Sequence, residues 1–277
     1  LNARSLHFLA VSILLCLSTA QSTARAQDTA TPPLRATWSL RVVADEASKG
    51  RNLDFTARLL LGMIQNSGGA VNAGTLTEEV SLTQHGAYLI RNTIKPEGLL
   101  ATIWRNTDLE RVSEGQVAGE QLSTTRYVDQ RVKQAPLTVT VDAATRQVQF
   151  HKGDELASEE VLNGPMTDAA ALPWMFAGRA LPLPGVHIAF TDGKSVKSAD
   201  FDVTHEAIMV AAQSVASLKL VRKRVEPDDA SITLWIREED GVPLRMIVGL
   251  NARYGVAIDQ ERNDLPSRFA WTATVTP

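Results

Sequence analysis

Polar and apolar residues alternate along most of this chain, and the alternation predicts strands. In "ATWSLRVVA" (36–44), Trp38, Leu40 and Val42 fall on one face. "DFTARLLLG" (54–62) reads as a second strand, and the Gly/Asn-rich "NSGGAVNAGT" (66–75) as a flexible loop. "TLTEEVSLTQ" (75–84) and "AYLIRNTIK" (87–95) flank a turn at His85-Gly86, and "LLATIWRN" (99–106) follows the break Pro96-Glu97-Gly98. Short β-branched and aromatic runs punctuated by Gly, Pro, Asn and Asp signal antiparallel structure. In Ser113–Val132, "SEGQVAGEQLSTTRYVDQRV", Gly115 and Gly119 fit a bend between two strands. Neither face of the second strand is wholly apolar. Tyr127 is its anchor, with a packed ring and a bonded hydroxyl, and Arg126 points the opposite way.

The later hairpins are plainer. "LTVTVDAATRQVQFHKG" (137–153) alternates strictly and turns at Asp142-Ala143-Ala144. Residues 217–250 form a three-strand meander with turns at Pro227-Asp228-Asp229 and Asp240-Gly241. "MTDAAALPWMFAGRAL" (166–181) interrupts the pattern as one to two helical turns, capped by Asp168 or beginning at Pro173. The expected fold is mainly β: a single curved antiparallel sheet or open β-barrel with one short helix near residues 168–178. No linker or fixed-period repeat divides it, so 36–277 reads as one domain.

The first 26 residues change the picture. Arg4 precedes the apolar run "FLAVSILLCL" (8–17), and Ala24-Arg25-Ala26 closes an A-x-A cleavage pattern. That is a secretory signal peptide, cut after Ala26 or, as second choice, after Ala20. The run is short of the roughly 20 residues a spanning helix needs. Residues 27–35 then read as a flexible leader, and the expected location is the periplasm. The one cysteine, Cys16, follows Leu15 inside the apolar run, so it leaves with the signal and does not carry a lipid. Beyond it there is no disulfide, thiol nucleophile or thiolate metal site. The chain carries 31 acidic against 28 basic residues, and two of the basic ones (Arg4, Arg25) lie in the signal. An acidic mature chain argues against nucleic acid or an anionic membrane surface as a generic partner. No later apolar run approaches spanning length.

Motifs for chemistry are missing. His85, His151, His187 and His205 are too far apart in sequence for a local metal site, and "THEAIM" (204–209) lacks the second histidine of a zinc-protease helix. Ser113 has no nucleophile-elbow context, and "GQVAGE" (115–120) lacks the third glycine and lysine of a phosphate loop. The pairs Glu78-Glu79, Glu159-Glu160, Asp228-Asp229 and Glu238-Glu239 read as solvated charge, since strand neighbours point to opposite faces. No catalytic residue, metal ligand or cofactor is assigned. A hydrolase assembled from His151, His187 and His205 is the least favoured reading.

Five tryptophans are spread over the chain. They serve either as core or, in part, as the lining of an apolar cavity inside the curved sheet. The candidate lining is Trp104, Tyr127, Trp174, Phe176 and Trp235, with Trp174 and Phe176 over the cavity mouth.

Four segments in order, "SEGQVAGEQLSTTRYVDQR", "RQVQF" (146–150), "DAAALPWMFAGRALPLPG" and "LWIREEDGVPLRMIV" (234–248), resemble the bacterial exported family known as domain of unknown function 3108. The chain departs from that pattern at Ala169–Ala171, where members often carry a hydroxyl residue, and at "AAQSVAS" (211–217). The resemblance implies an exported, β-rich envelope protein with no established activity and no catalytic residues to carry over. By analogy of fold it looks like the envelope lipoprotein carriers. The partners expected are an apolar small molecule or lipid, or alternatively another envelope protein.

Overall fold

The computed structural model describes residues 33–48, 53, 55–83, 86–98, 101, 108–118, 121–178, 185–225, 229–251 and 255–265. Among them run fifteen strands: β1 (Leu34–Ala44), β2 (Ala70–Leu82), β3 (Ala87–Pro96), β4 (Leu109–Ala118), β5 (Gln121–Arg131), β6 (Leu137–Asp142), β7 (Gln147–Lys152), β8 (Glu155–Val161), β9 (Met166–Asp168), β10 (Gly185–Thr191), β11 (Val196–Val210), β12 (Gln213–Arg222), β13 (Ile232–Arg237), β14 (Pro243–Asn251) and β15 (Val256–Arg262). One twelve-residue helix, α1 (Phe55–Asn66), lies between β1 and β2. No described helix is long and apolar enough to cross a membrane.

All strands join one sheet in the order β8-β7-β6-β5-β4-β3-β2-β1-β15-β14-β13-β12-β11-β10-β9. β1 sits at its centre, and two meanders run outward from it. Every pairing is antiparallel except β9 with β10. The sheet curls until its far ends approach. β9 packs against β5, and the Val196 amide at the start of β11 donates to a Glu160 carboxylate oxygen in β8 at 3.2 Å. The result is one open, curved, barrel-like sheet, the class of fold the alternation predicts; among the described residues its ends are joined by side chains rather than by a ladder.

The segment after β9 fills the space between the two halves. Leu172–Trp174 forms a single 3-10 turn with Pro173 at its start. Asp168 Oδ1 accepts from the amides of Ala170 and Ala171 at 2.8 and 3.1 Å and so braces the turn before the helix. The helical turn itself has Ala171 at its N-cap with no side-chain cap bond, so Asp168 is not the helix cap expected. Trp174 is fully buried with Tyr88, Ile90, Tyr127 and Phe150 of the β2–β7 half. Leu172, Met175 and Phe176 pack the opposite way, against Phe190, Phe201, Leu220 and Leu234 of the β10–β14 half. One short stretch thus completes two cores.

Three local expectations change. Residues 54–62 are not a strand: from Phe55 they form α1, because Ala57, Leu60, Leu61 and Ile64 bury at helical spacing over the ends of β1 and β2. The segment 66–75 is mostly β2, entered from a turn that ends at Gly69. β4 runs to Ala118 and β5 begins at Gln121, so Gly115 lies within β4 beside a bulge, and Gly119 lies outside the described residues. A Cβ at Gly115 would come within 2.1 Å of the Ser123 carbonyl oxygen and 2.6 Å of the Tyr88 ring, so glycine is needed there for close approach. The expected strand 99–106 lies almost wholly outside the described residues; within it, the Ala101 amide donates to the Glu97 carbonyl in a helical turn. Residues 1–32, with the expected signal and most of the leader, also lie outside, and β1 already begins at Leu34.

Candidate functional site

Register assembles a row of polar side chains across the inner face of the first half. Glu78 on β2 pairs with Asn92 on β3, Asn92 with Arg111 on β4, and Arg111 with Asp129 on β5. The row continues through Leu137 on β6 to Lys152 on β7. The neighbouring row is apolar at most positions: Val80, Ile90, Ser113, Tyr127, Val139 and Phe150. Inward polar groups must find partners, since an unpaired buried charge costs several kcal/mol.

They do so in three groups. At the closed end, Glu78 is buried, which contradicts its reading as solvated charge; its strand neighbour Glu79 faces out to Arg35. The Trp38 indole donates to Glu78 Oε2 at 3.1 Å, and the Asn92 amide nitrogen, correctly turned, donates to Oε1 at 3.2 Å. Burial raises the Glu78 carboxyl to about 7, against the opposing pull of Trp174, Arg262 and Trp38. Arg262, with no exposed side-chain surface, lies over the Trp38 ring at 5.7 Å. Its Nε donates to the carbonyl of Asp264, and its two terminal nitrogens have no hydrogen-bond partner among the described residues. Burial pushes its guanidinium below the usual arginine range.

In the middle, Asp168 reaches from β9 to the facing strands. Its Oδ2 accepts from the hydroxyls of Ser113 and, at 2.8 Å, Thr124. The Tyr88 hydroxyl lies 3.1 Å from that of Thr124 and 3.4 Å from that of Ser113. All of these are buried, and burial raises the Asp168 carboxyl despite its four hydrogen bonds. The cluster ties edge strand β9 to β4 and β5 through buried hydrogen bonds.

At the open end, Arg111 Nε donates to Asp129 Oδ2 at 3.0 Å, and Arg131 Nε lies 3.6 Å from Oδ1. Here the row emerges into a cavity of ≈ 630 Å³. Its apolar wall is Ala135, Leu137, Phe150 and Ala157; its polar wall includes Asp129, Arg131, His151, Lys152 and Lys194. Gly193, in the β10–β11 turn, completes it from the other half of the sheet. Gly193 has φ +98°, and a Cβ there would stand 3.4 Å from both Leu137 and the Tyr127 ring. The Tyr127 ring therefore lies immediately behind this wall. A second cavity, ≈ 370 Å³, lies at the seam among Leu122, Leu162, Met175, Ile188 and Val196. Buried Thr167 borders it, with a hydroxyl that has no hydrogen-bond partner among the described residues.

Of the five residues expected to line a cavity, Tyr127 and Trp174 come together in one core cluster and Phe176 lies in the next. Trp235 is on the opposite sheet face with Ile208, Val210 and Leu244, under the cations of Lys219 and Arg245 at 5.2 and 5.1 Å. Trp104 lies outside the described residues. Tyr127 is packed as expected, but its hydroxyl makes no hydrogen bond among the described residues. Arg126 faces out and pairs with Glu114. The histidines do not converge: His187 pairs with Asp200, His205 with Glu238, His151 stands at the larger cavity, and His85 lies outside the described residues. No group of three metal-capable side chains occurs among the described residues. The buried polar row was the feature missed. Its signal was available: Glu78 lies in phase with Leu76 and Val80, and Asn92 with Ile90 and Ile94, so each falls on the apolar face.

No protein-family model matches the chain, and no curated protein matches it. Among solved structures it is similar to a β-barrel-like protein of the domain of unknown function DUF1849 from Brucella abortus, at a TM-score of 0.50 and 13% identity over 87% of this chain and 99% of that one. The similarity is one of fold: a β-barrel-like domain of unknown function, but from a different family than the sequence pattern resembles.

Proposed function

We propose that this chain is an exported envelope protein whose open barrel binds or carries an apolar or lipid-like ligand. The observation that supports it is the cavity at the end of the inner polar row. Its ≈ 630 Å³ falls within the roughly 300–1,000 Å³ usual for small-molecule sites. It combines an apolar wall with a few converging polar groups, the composition such sites share. The signal sequence supports export to the periplasm, and the segment pattern supports kinship with family 3108. Cell fractionation with N-terminal sequencing tests the first point: a periplasmic chain beginning at Gln27 is expected, and a cytoplasmic chain that keeps residues 1–26 would overturn it. Native mass spectrometry of protein purified without detergent tests the second. A bound species of lipid or fatty-acid mass is expected, and a bare chain that also takes up no amphiphile in vitro would overturn it.

A second reading, assembly through protein contacts, is favoured by two surface features. On α1, Phe55, Leu59 and Met63 are exposed at i, i+4 and i+8. β8 is an edge strand with exposed Leu156 and Val161. Natural sheets usually cover or charge such edges, and β8 carries Glu155, Glu159 and Glu160. In-cell crosslinking from α1 that traps one dominant protein would favour this reading.

A further inference from the structure

The larger cavity is unevenly charged. Arg131, Lys152, Lys194 and His151 border it, and among the described residues Asp129 is the one acid in its wall. That acid is already engaged by Arg111 and Arg131. Asp192, beside Lys194 in the sequence, is taken by Lys197 at 2.6 Å. Lys152 and Lys194 come from opposite halves of the sheet, one on β7 and one in the β10–β11 turn, and both are exposed with no carboxylate partner among the described residues. The wall on the other side is carbon: Ala135, Leu137, Ala157 and the edge of buried Phe150. Behind it, the Tyr127 hydroxyl is buried and has no hydrogen-bond partner among the described residues.

We propose that this cavity takes an acyl chain bearing an anionic head group, the chain against Leu137, Phe150 and Ala157 and the head between Lys152 and Lys194. The inference rests on the ligand-binding reading above and adds the sign of the ligand's charge. A neutral lipid would gain from the apolar wall but leave two converging cations unpaired. A bare anion would use the cations and leave the apolar wall wet. An amphipathic anion matches both walls. The acidity of the whole chain does not oppose this, because surface charges more than about 8 Å away are largely screened at physiological salt.

Calorimetric titration of the exported protein with decanoate, decanol and inorganic phosphate tests it, alongside a Lys152→Ala/Lys194→Ala double variant. Both lysines are exposed, so the variant leaves the core untouched, and an unchanged Tm verifies that. Decanoate is expected to bind about fivefold to tenfold more tightly than decanol, the effect of two solvent-accessible charges. The double variant should lose that preference while keeping its decanol affinity, and phosphate alone should not bind at the same concentrations. Equal binding of decanoate and decanol would overturn the charge assignment and leave the ligand-binding reading standing. Phosphate binding as tightly as decanoate would overturn the acyl part. Unchanged decanoate affinity in the double variant would remove the head group from this site. If neither decanoate nor decanol bound, both readings would fall together.

Discussion

Glu78 states the residue-scale problem most sharply. A carboxylate on the apolar face of β2 keeps its place through two indoles, an amide and a buried arginine. Its folded pKa of about 7 lies above its ordinary 4.5. A raised folded pKa means the native state holds the proton more tightly than the unfolded chain. The associated stability is therefore full below pH 4.5 and is lost as pH rises through 7, by up to about 3 kcal/mol. Glu78→Gln should flatten that fall in a series of denaturant melts from pH 5 to 8; an unchanged slope would assign the pH dependence elsewhere. Burial raises the Asp168 carboxyl as well, and that carboxylate takes four hydrogen bonds. Asp168→Ala strands two hydroxyls and two amides in the interior, so a loss of about 3 kcal/mol is expected in urea unfolding. Tyr127→Phe is the counter-case. Its hydroxyl has no described partner, so the variant should keep its Tm within about 2 °C, whereas a large drop would reveal a bonded hydroxyl.

At the scale of elements, the hairpin of β6 and β7 and the meander from β12 to β14 were legible because turn residues and alternation agree. "DGVPL" turns where Asp-Gly demands it, with Gly241 at φ +69°. α1 was not legible as a helix. Its run of Leu59–Leu61 is equally apolar at period 2 and period 3.6, and only the docking of Ala57 and Ile64 on the sheet decides between them. The β4 bulge shows the same limit from the other side. Gly115 looked like a turn residue, yet it sits in a strand because the Tyr88 ring and the Ser123 carbonyl leave no room for a Cβ. Gly115→Val should therefore be among the most damaging surface-neutral substitutions, lowering stability by about 3 kcal/mol or preventing soluble expression. A variant with wild-type Tm would mean that the bulge relaxes freely.

For the whole molecule, the sequence carried the class of fold but not its closure. Alternation specifies which residues share a face; it does not specify which strands meet across the curl. Asp168 lies 55 residues from Ser113 and 44 from Thr124, and only the pairing order brings it to them. The same pairing order lines up Glu78, Asn92, Arg111 and Asp129 and carries the row out to Lys152. The interior between the halves is filled by Trp174, Tyr127, Phe150 and Phe176, so the space open to a ligand lies at the margin, where β5–β8 meet the β10–β11 turn. The ligand proposed for that space would exchange at the rim without unpacking the core.

The central claim is that this marginal cavity is where an apolar chain binds. Ala157 lines it from edge strand β8 and is exposed, so Ala157→Trp fills the space without touching the interior. Binding of a decyl-chain fluorophore to the wild-type protein and to this variant measures the claim directly. Saturable uptake by the wild type is expected, with a loss of at least about tenfold in affinity for the variant at unchanged Tm. Equal uptake by both proteins would contradict it.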